Sequence, residues 1–269
     1  MTNTATQPVG VLLRSWRLRR RMSQLDLAVE AEVSSKHLSF VETGRAVPSR
    51  EMLLRLAEEL ALPLREQNIL LVAGGYAPIF PEHALNAPEL DMARTAIDLV
   101  LRGHEPYPAL AINRHWVMVA ANRALPMLLA GIAPTLLAEP INVFRLGLHP
   151  EGMAARIINY VSWRNNLLAR LRKQIELSAD AVLIELLQEV SSYPAPASAA
   201  NQTHRFPDNS ALAAVPLQLR SDMGVLSFIG TTTVFGTPID ITLSELAIES
   251  FFPADMETAQ VMWRLMQAS

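Results

Sequence analysis

Between residues 34 and 45 the chain gathers groups able to hydrogen-bond to another molecule. Ser34, Ser35, Lys36 and Ser39 fall on the start and outer side of a helical period, and Leu38 and Val41 fall on its inner side. Short hydroxyls and one ammonium, backed by apolar anchors, are what a helix needs to read base edges in the DNA major groove. Basic residues crowd the same region. Arg17, Arg19, Arg20 and Arg21 lie just ahead of it, and the first 50 residues hold eight Lys/Arg against four Asp/Glu. Residues 77–269 carry thirteen basic against eighteen acidic residues, a net −5 beneath the overall −3. A modestly basic head on an acidic body is the footprint of a nucleic-acid reader joined to something else. Charge taken alone fits a solvated arginine-rich helix face better, so the spacing of the polar residues has to carry the reading.

Other chemistries find little support. There is no cysteine, which excludes disulfides, thiolate metal sites and a cysteine nucleophile and fits a reducing cytoplasm. His37, His83, His104, His115, His149 and His204 form no H-x-x-x-H or H-E-x-x-H pair, and neither a G-x-S-x-G elbow nor a phosphate-binding glycine loop occurs. Asp240, Glu245 and Glu249 could be imagined as a metal or acid/base cluster, but their spacings of five and four on a charged stretch fit a solvated helix face better. No enzyme, metal site or cofactor is expected. The first ten residues lack a basic stretch followed by an apolar core, so no signal peptide is expected. Charges interrupt every apolar run well before about 18 residues, so no membrane-spanning helix is expected either.

The elements that must position these groups follow from periodicity and caps. Val9, Leu12, Leu13 and Trp16 mark a first helix. Ser23 with Asp26 offers a capping box for a second, with Leu25, Leu27 and Ala28 as its inner face. Ser34 caps a third helix that stops at Gly44. A fourth follows Pro48-Ser49 with Met52, Leu53, Leu56, Ala57 and Leu60 inward. A fifth starts near Pro63, carries Ile69, Leu70 and Val72, and ends at Gly74-Gly75. After a proline-rich stretch over 77–88, Leu90, Ala93, Ile97, Val100 and Leu101 predict another amphipathic helix, closed by Gly103. Two short strands are expected at Ala109–Ile112 and Trp116–Ala121, then helices from 122 to about 192, the longest near 152–174. Residues 194–209 read as a polar loop. Strands at Ala213–Arg220 and Gly224–Phe235, a fifth at Leu246–Phe252 and a terminal helix at Glu257–Gln267 complete the chain.

The spaced set Gln24, Leu27-Ala28, Ser34, Leu38, Glu42 and Gly44 resembles the Cro/C1-type helix-turn-helix family, also called the xenobiotic-response-element (XRE) family, over roughly Val9–Tyr76. That resemblance implies a five-helix, lambda-repressor-like DNA-binding domain with Ser34–Glu42 as its recognition helix. It implies that Gln24 braces a phosphate and the recognition helix, and that Arg45 and Arg50 touch the DNA backbone. It further implies that Arg17 and Glu42 form an internal salt bridge. Phe40 fits packing better than a thymine methyl contact. In place of the glycine usual at the turn between helices two and three, this chain has Glu32, which would take a positive φ at a cost on the order of 1 kcal/mol.

Downstream, Trp116-Val117-Met118-Val119, then Asn122-Arg123-Ala124, resembles the opening of a PAS-type sensor domain. With the distal Thr231-Thr232-Thr233-Val234-Phe235-Gly236-Thr237-Pro238 and Glu249-Ser250-Phe251-Phe252-Pro253, it resembles the ligand-binding domain of MmyB-like regulators, over about 105–266. The resemblance implies a PAS-like antiparallel sheet of five strands with flanking helices, and a cavity for a small apolar ligand such as a fatty acid. Trp116, Phe144, Met153, Ile157, Trp163, Phe228 and Phe235 could line it, and each would equally suit a filled core. Phe228 and Phe235 are seven apart, so an unbroken strand sends them to opposite faces unless Gly230 introduces a bulge. Arg123 and Arg145 could anchor a ligand carboxylate but read better as surface or capping residues. His149, beside Pro150, reads as a turn residue and not a haem ligand.

The expected organisation is therefore multidomain, α and α+β. Residues 1–76 are the DNA-binding head, 77–104 a linker and connecting helix, and 105–269 the PAS-like body. The expected function is cytoplasmic, sequence-specific transcription regulation by a homodimer on a two-fold, double-stranded operator, tuned by the apolar ligand. The alternative is a body that only dimerises or contacts another protein.

Overall fold

Three of the five N-terminal helices begin where a serine side chain takes up a free backbone N–H. In the computed structural model, which describes residues 7–199 and 215–268, Ser23 and Asp26 form a reciprocal capping box at the start of α2 (Gln24–Glu30). Ser34 accepts from the His37 N–H at the start of α3 (Ser35–Glu42), and Ser49 from the Met52 N–H at the start of α4 (Arg50–Glu59). α1 (Val9–Arg19) and α5 (Leu64–Ala73) each follow a proline. Their ends obey one rule. Arg21, Glu32 and Ala61 all take positive φ (57°, 52° and 46°), and the next residue's N–H returns to a carbonyl five residues back: Met22 to Arg17, Val33 to Ala28, Leu62 to Ala57. Glu32 is thus one of three left-handed non-glycine closures, each costing on the order of 1 kcal/mol. A shared core absorbs the strain: Leu13, Leu27, Leu38, Leu53, Leu56, Leu60, Leu70 and Leu71 are all buried. The expected inner faces need correction at Leu25, Ile69 and Val72, which are exposed, whereas Leu71 packs inward.

The described chain divides into two compact units. The first holds the residues up to His83 together with Glu176–Ser178 and Thr237–Ser244; the second holds Ala84–Ile175, Ala179–Gly236 and Glu245–Ser269. Within the first unit, the stretch after α5 is pinned by Asn68, whose side chain bonds to the backbone of Ile79 and Phe80. It is pinned again by buried Asp240, whose carboxylate accepts from the His83 N–H at 3.2 Å and faces His83 Nδ1 at 2.8 Å. Thr242 donates to the His83 carbonyl, and the Ile241 N–H to that of Pro81.

The second unit opens with α6 (Asp91–Gly103), which buries Ile97 and Leu101 but leaves Val100 exposed. Its sheet has five strands: β1 (Ala109–Ile112), β2 (Met118–Ala121), β3 (Leu217–Ser221), β4 (Gly224–Val234) and β5 (Ala247–Pro253). Their order is β2-β1-β5-β4-β3 with every neighbouring pair antiparallel. Between β2 and β3 run α7 (Leu125–Leu128), α8 (Pro134–Leu137), α9 (Val143–Leu148), α10 (Tyr160–Ser178) and α11 (Ala181–Ser192). The short α12 (Ile241–Ser244) lies between β4 and β5, and α13 (Met256–Ala268) ends the chain. The long helix begins eight residues later than its apolar pattern suggests, because Ile157 is taken into an isolated bridge with Leu219. The start of the third expected strand, at 213 and 214, lies outside the described residues, as does His204. The core of this unit sits between the sheet and the helices, with Tyr160, Phe144, Phe228 and Leu148 fully buried at its centre.

Candidate functional site

In the first unit, α3 leaves Ser35, Lys36 and His37 exposed and Ser39 partly so, while Leu38 and Val41 are buried. Exposed Ser34 serves as the cap, and its oxygen accepts from the His37 N–H at 3.4 Å. Arg45 and Arg50 are exposed just past the helix end. Phe40 is half-buried, and the Lys36 ammonium lies 5.8 Å from its ring centre. A helix that must hold a fixed register on a ligand needs bracing from behind, and Glu42 supplies it. Arg17 reaches both carboxylate oxygens, at 2.7 and 2.9 Å, and also donates to the Met22 carbonyl. Gln24, the first residue of α2, donates to the same carboxylate at 2.7 Å. The ion pair is nearly closed to water. Burial pushes the Glu42 carboxyl up, but the hydrogen bonds from Arg17 and Gln24 and the charges of Arg17 and Arg14 outweigh it, holding the group below the usual glutamate range. At the other side of this joint is Gly10, where an added Cβ would stand 2.1 Å from the Val41 carbonyl oxygen. The expected polar set of Gln24, Ser34, Ser35, Lys36, Ser39, Arg45 and Arg50 is thus gathered on and around one helix.

In the second unit a cavity of about 330 Å³ lies between the sheet and α10, within the range of small-molecule pockets. Trp116, Met153, Ile157, Trp163 and Phe228 line it, with Leu110, Leu125, Leu128 and Leu167. Two of the seven expected wall residues do not. Phe144 sits one layer back, edge-on to Trp116 with ring centres 4.6 Å apart. Phe235 lies beyond the end of β4 and is only half-buried. The β4–β5 register runs from Phe228↔Pro253 to Val234↔Ala247 without a shift, so Gly230 makes no bulge. Phe228, Gly230 and Thr232 share the cavity face by simple alternation.

The cavity is not wholly apolar. Arg170 on α10 meets Glu249 on β5 at 2.7 and 3.2 Å and Thr232 on β4 at 3.0 Å. Thr232 donates to Glu249 at 2.8 Å, and Asn166 lines the cavity one helical turn before Arg170. The Arg170 guanidinium also lies 4.9 Å from the Trp116 ring centre, a stacking that favours the cation. Trp116 has φ of 62°, rare for a bulky side chain, and is held there by its indole N–H donating to Gln174 at 2.6 Å. Glu249 therefore corrects the expectation of a solvated acidic helix: it is a buried strand residue in an ion pair, and Asp240 is buried as well. Among the described residues no cluster fit for a metal ion occurs. Arg123 and Arg145 are surface residues paired with Glu105 and Glu189 and do not line the cavity. Sequence reading overlooked Arg170, although Trp163, Asn166, Leu167 and Arg170 have the spacing of one helix face.

Residues 93–265 match the family model described as the MmyB-like transcription regulator ligand binding domain. Residues 8–68 match a helix-turn-helix domain model. No curated protein matches the chain. Among the described residues no helix is long and apolar enough to cross a membrane.

Proposed function

Since the chain belongs to the MmyB-like transcription regulator family and is a DNA-binding regulator with a ligand-binding domain, we propose that a small apolar ligand in the cavity alters its affinity for a specific operator. The observation that carries this is the cavity itself: a mostly apolar space between the sheet and α10 with a polar corner at Arg170 and Glu249. A space of about 330 Å³ stands at the small end of ligand pockets, and a medium-chain fatty acid is the simplest molecule that suits it. The protein acts as a homodimer, since two-fold operators pair with two-fold proteins.

The test is a thermal-shift series of saturated acids from roughly eight to eighteen carbons on delipidated protein, each methylene contributing about 0.8 kcal/mol of burial and binding raising Tm by mass action. Acids in the shorter half of the range are expected to give the largest shifts. Ile157→Trp, which fills the cavity from a wall position, is expected to abolish them and leave operator binding in place. If neither the acids nor neutral alkyl compounds of the same chain lengths shift the protein, a body that only dimerises or contacts another protein replaces this reading.

On the DNA side, Ser35, Lys36 and Ser39 face the bases, while Arg45 and Arg50 hold phosphates. Lys36→Ala is expected to cost about 1–3 kcal/mol on the cognate site and relax preference at one position. Arg45→Ala is expected to weaken all sequences alike and flatten the salt dependence. A selection on randomised DNA that returned the reverse assignment would show the helix docked in another register.

A further inference from the structure

The polar corner of the cavity carries no free charge. Arg170 is the cation that lines the space, and both of its terminal nitrogens already donate to Glu249, whose side chain is 7% exposed. The Thr232 hydroxyl is engaged on both sides, accepting from Arg170 and donating to Glu249. A ligand carboxylate entering here meets a carboxylate of the same sign, and the guanidinium N–H groups left to it belong to a cation whose charge Glu249 already balances. Two carboxylates against one partly dehydrated guanidinium leave a net negative charge, which is unfavourable at low dielectric. A neutral head that both accepts and donates has no such conflict. Its oxygen can accept from Arg170 or from the Asn166 amide. Its N–H or O–H can donate to Glu249, whose oxygens still have lone pairs, or to the Asn166 carbonyl. The aromatic face of Trp116 beneath Arg170 strengthens the same preference, because it stabilises the cation already in place and adds nothing for an anion.

We infer that the ligand is a neutral amphiphile, an alkyl chain ending in a carboxamide or comparable paired donor–acceptor head, and that Glu249 is the residue that discriminates against a free carboxylate. This rests on the reading that the cavity takes an alkyl-chain ligand, and it assigns the chemistry of the head.

The experiment titrates decanamide, 1-decanol and decanoate against the delipidated full chain at pH 8, by calorimetry or by displacement of a polarity-sensitive dye. The amide is expected to bind at least about tenfold more tightly than the acid, with the alcohol between them. Glu249→Gln removes the negative charge at constant shape and leaves Arg170 available to an anion. In that variant decanoate affinity is expected to rise about tenfold or more, while that of the amide changes by less than about threefold. Equal or tighter binding of decanoate by the wild-type chain overturns the inference, whatever the variant does. The wild-type ratio decides alone if the variant fails to fold. An unchanged ratio in a folded Glu249→Gln removes Glu249 from the role. Binding of none of the three probes defeats the ligand reading itself, and this inference with it, whereas binding with no order among the heads defeats this inference alone.

Discussion

Alanine in place of Glu42 is expected to cost the first unit about 3–5 kcal/mol, the penalty of leaving one member of a buried ion pair without its partner. The Arg17 guanidinium would keep only its bond to the Met22 carbonyl, and the Gln24 amide would lose its acceptor. Because Glu42 is the last residue of α3, the damage falls on the helix that carries Lys36 and Ser39, so operator binding should fail at temperatures where the wild-type chain still binds. Urea denaturation followed by helical circular dichroism gives the stability, and a fall of less than about 1 kcal/mol, typical of an exposed pair, would contradict the bracing role. The pH dependence has a definite sign. The Glu42 carboxyl is held below its ordinary value of 4.5, so its contribution is complete above that value and is lost as the pH falls through the lower folded value. The alanine variant should lack this acid-side loss.

The second large effect concerns Gly10. A methyl group there would meet the carbonyl oxygens of Val41 and Glu42 at 2.1 and 2.9 Å, and both belong to backbone. Flexible side chains can give way, but two packed helices cannot, so Gly10→Ala is expected to reach or pass the upper end of overpacking costs, about 3 kcal/mol. Gly103→Ala is the control, since nothing lies within 4 Å of a Cβ there and φ is not positive; it should stay within about 0.5 kcal/mol of the wild type. Melting temperatures of the two variants decide the matter, and near-equal values would show that α1 and α3 can separate at little cost.

Glycine at position 10 illustrates what a sequence conceals. Its neighbours Val9, Leu12 and Leu13 declare a helix by their period, yet nothing in them says that another backbone passes close by. The starts of α2, α3 and α4 were legible because Ser23, Ser34 and Ser49 act on residues three positions away, within reach of any local pattern. Inner faces were less so: in a seven-residue helix, Leu25 and Leu27 are both plausible, and only the neighbouring helices leave Leu25 outside. The Cro/C1 pattern pointed to Arg17 and Glu42, 25 residues apart, because family likeness stores a long-range pair that periodicity cannot see. No such aid existed for Arg170 and Glu249. They are 79 residues apart, and their meeting depends on where β5 enters the sheet, between β1 and β4. Phe235 was assigned to the cavity wall on the strength of its ring, but β4 runs without a bulge, so an odd spacing from Phe228 denies it the cavity face, and the strand has ended at Val234.

The insertion of residues 237–244 into the first unit bears on how such regulators are recombined. Heads and sensors of multidomain regulators invite exchange by a single splice in the linker. In this chain a cut after His83 would carry off part of the head's own structure, because the acceptor for the His83 N–H is Asp240, and Thr242 and Ile241 hold the carbonyls of His83 and Pro81. A donated head would arrive with those groups unsatisfied, and the receiving sensor would keep a β4–β5 connection shaped for a partner it no longer has. Transplanting this head means moving more than one segment of the chain, and the connection between β4 and β5 is a poor place to insert a tag or a reporter, even though it joins adjacent strands.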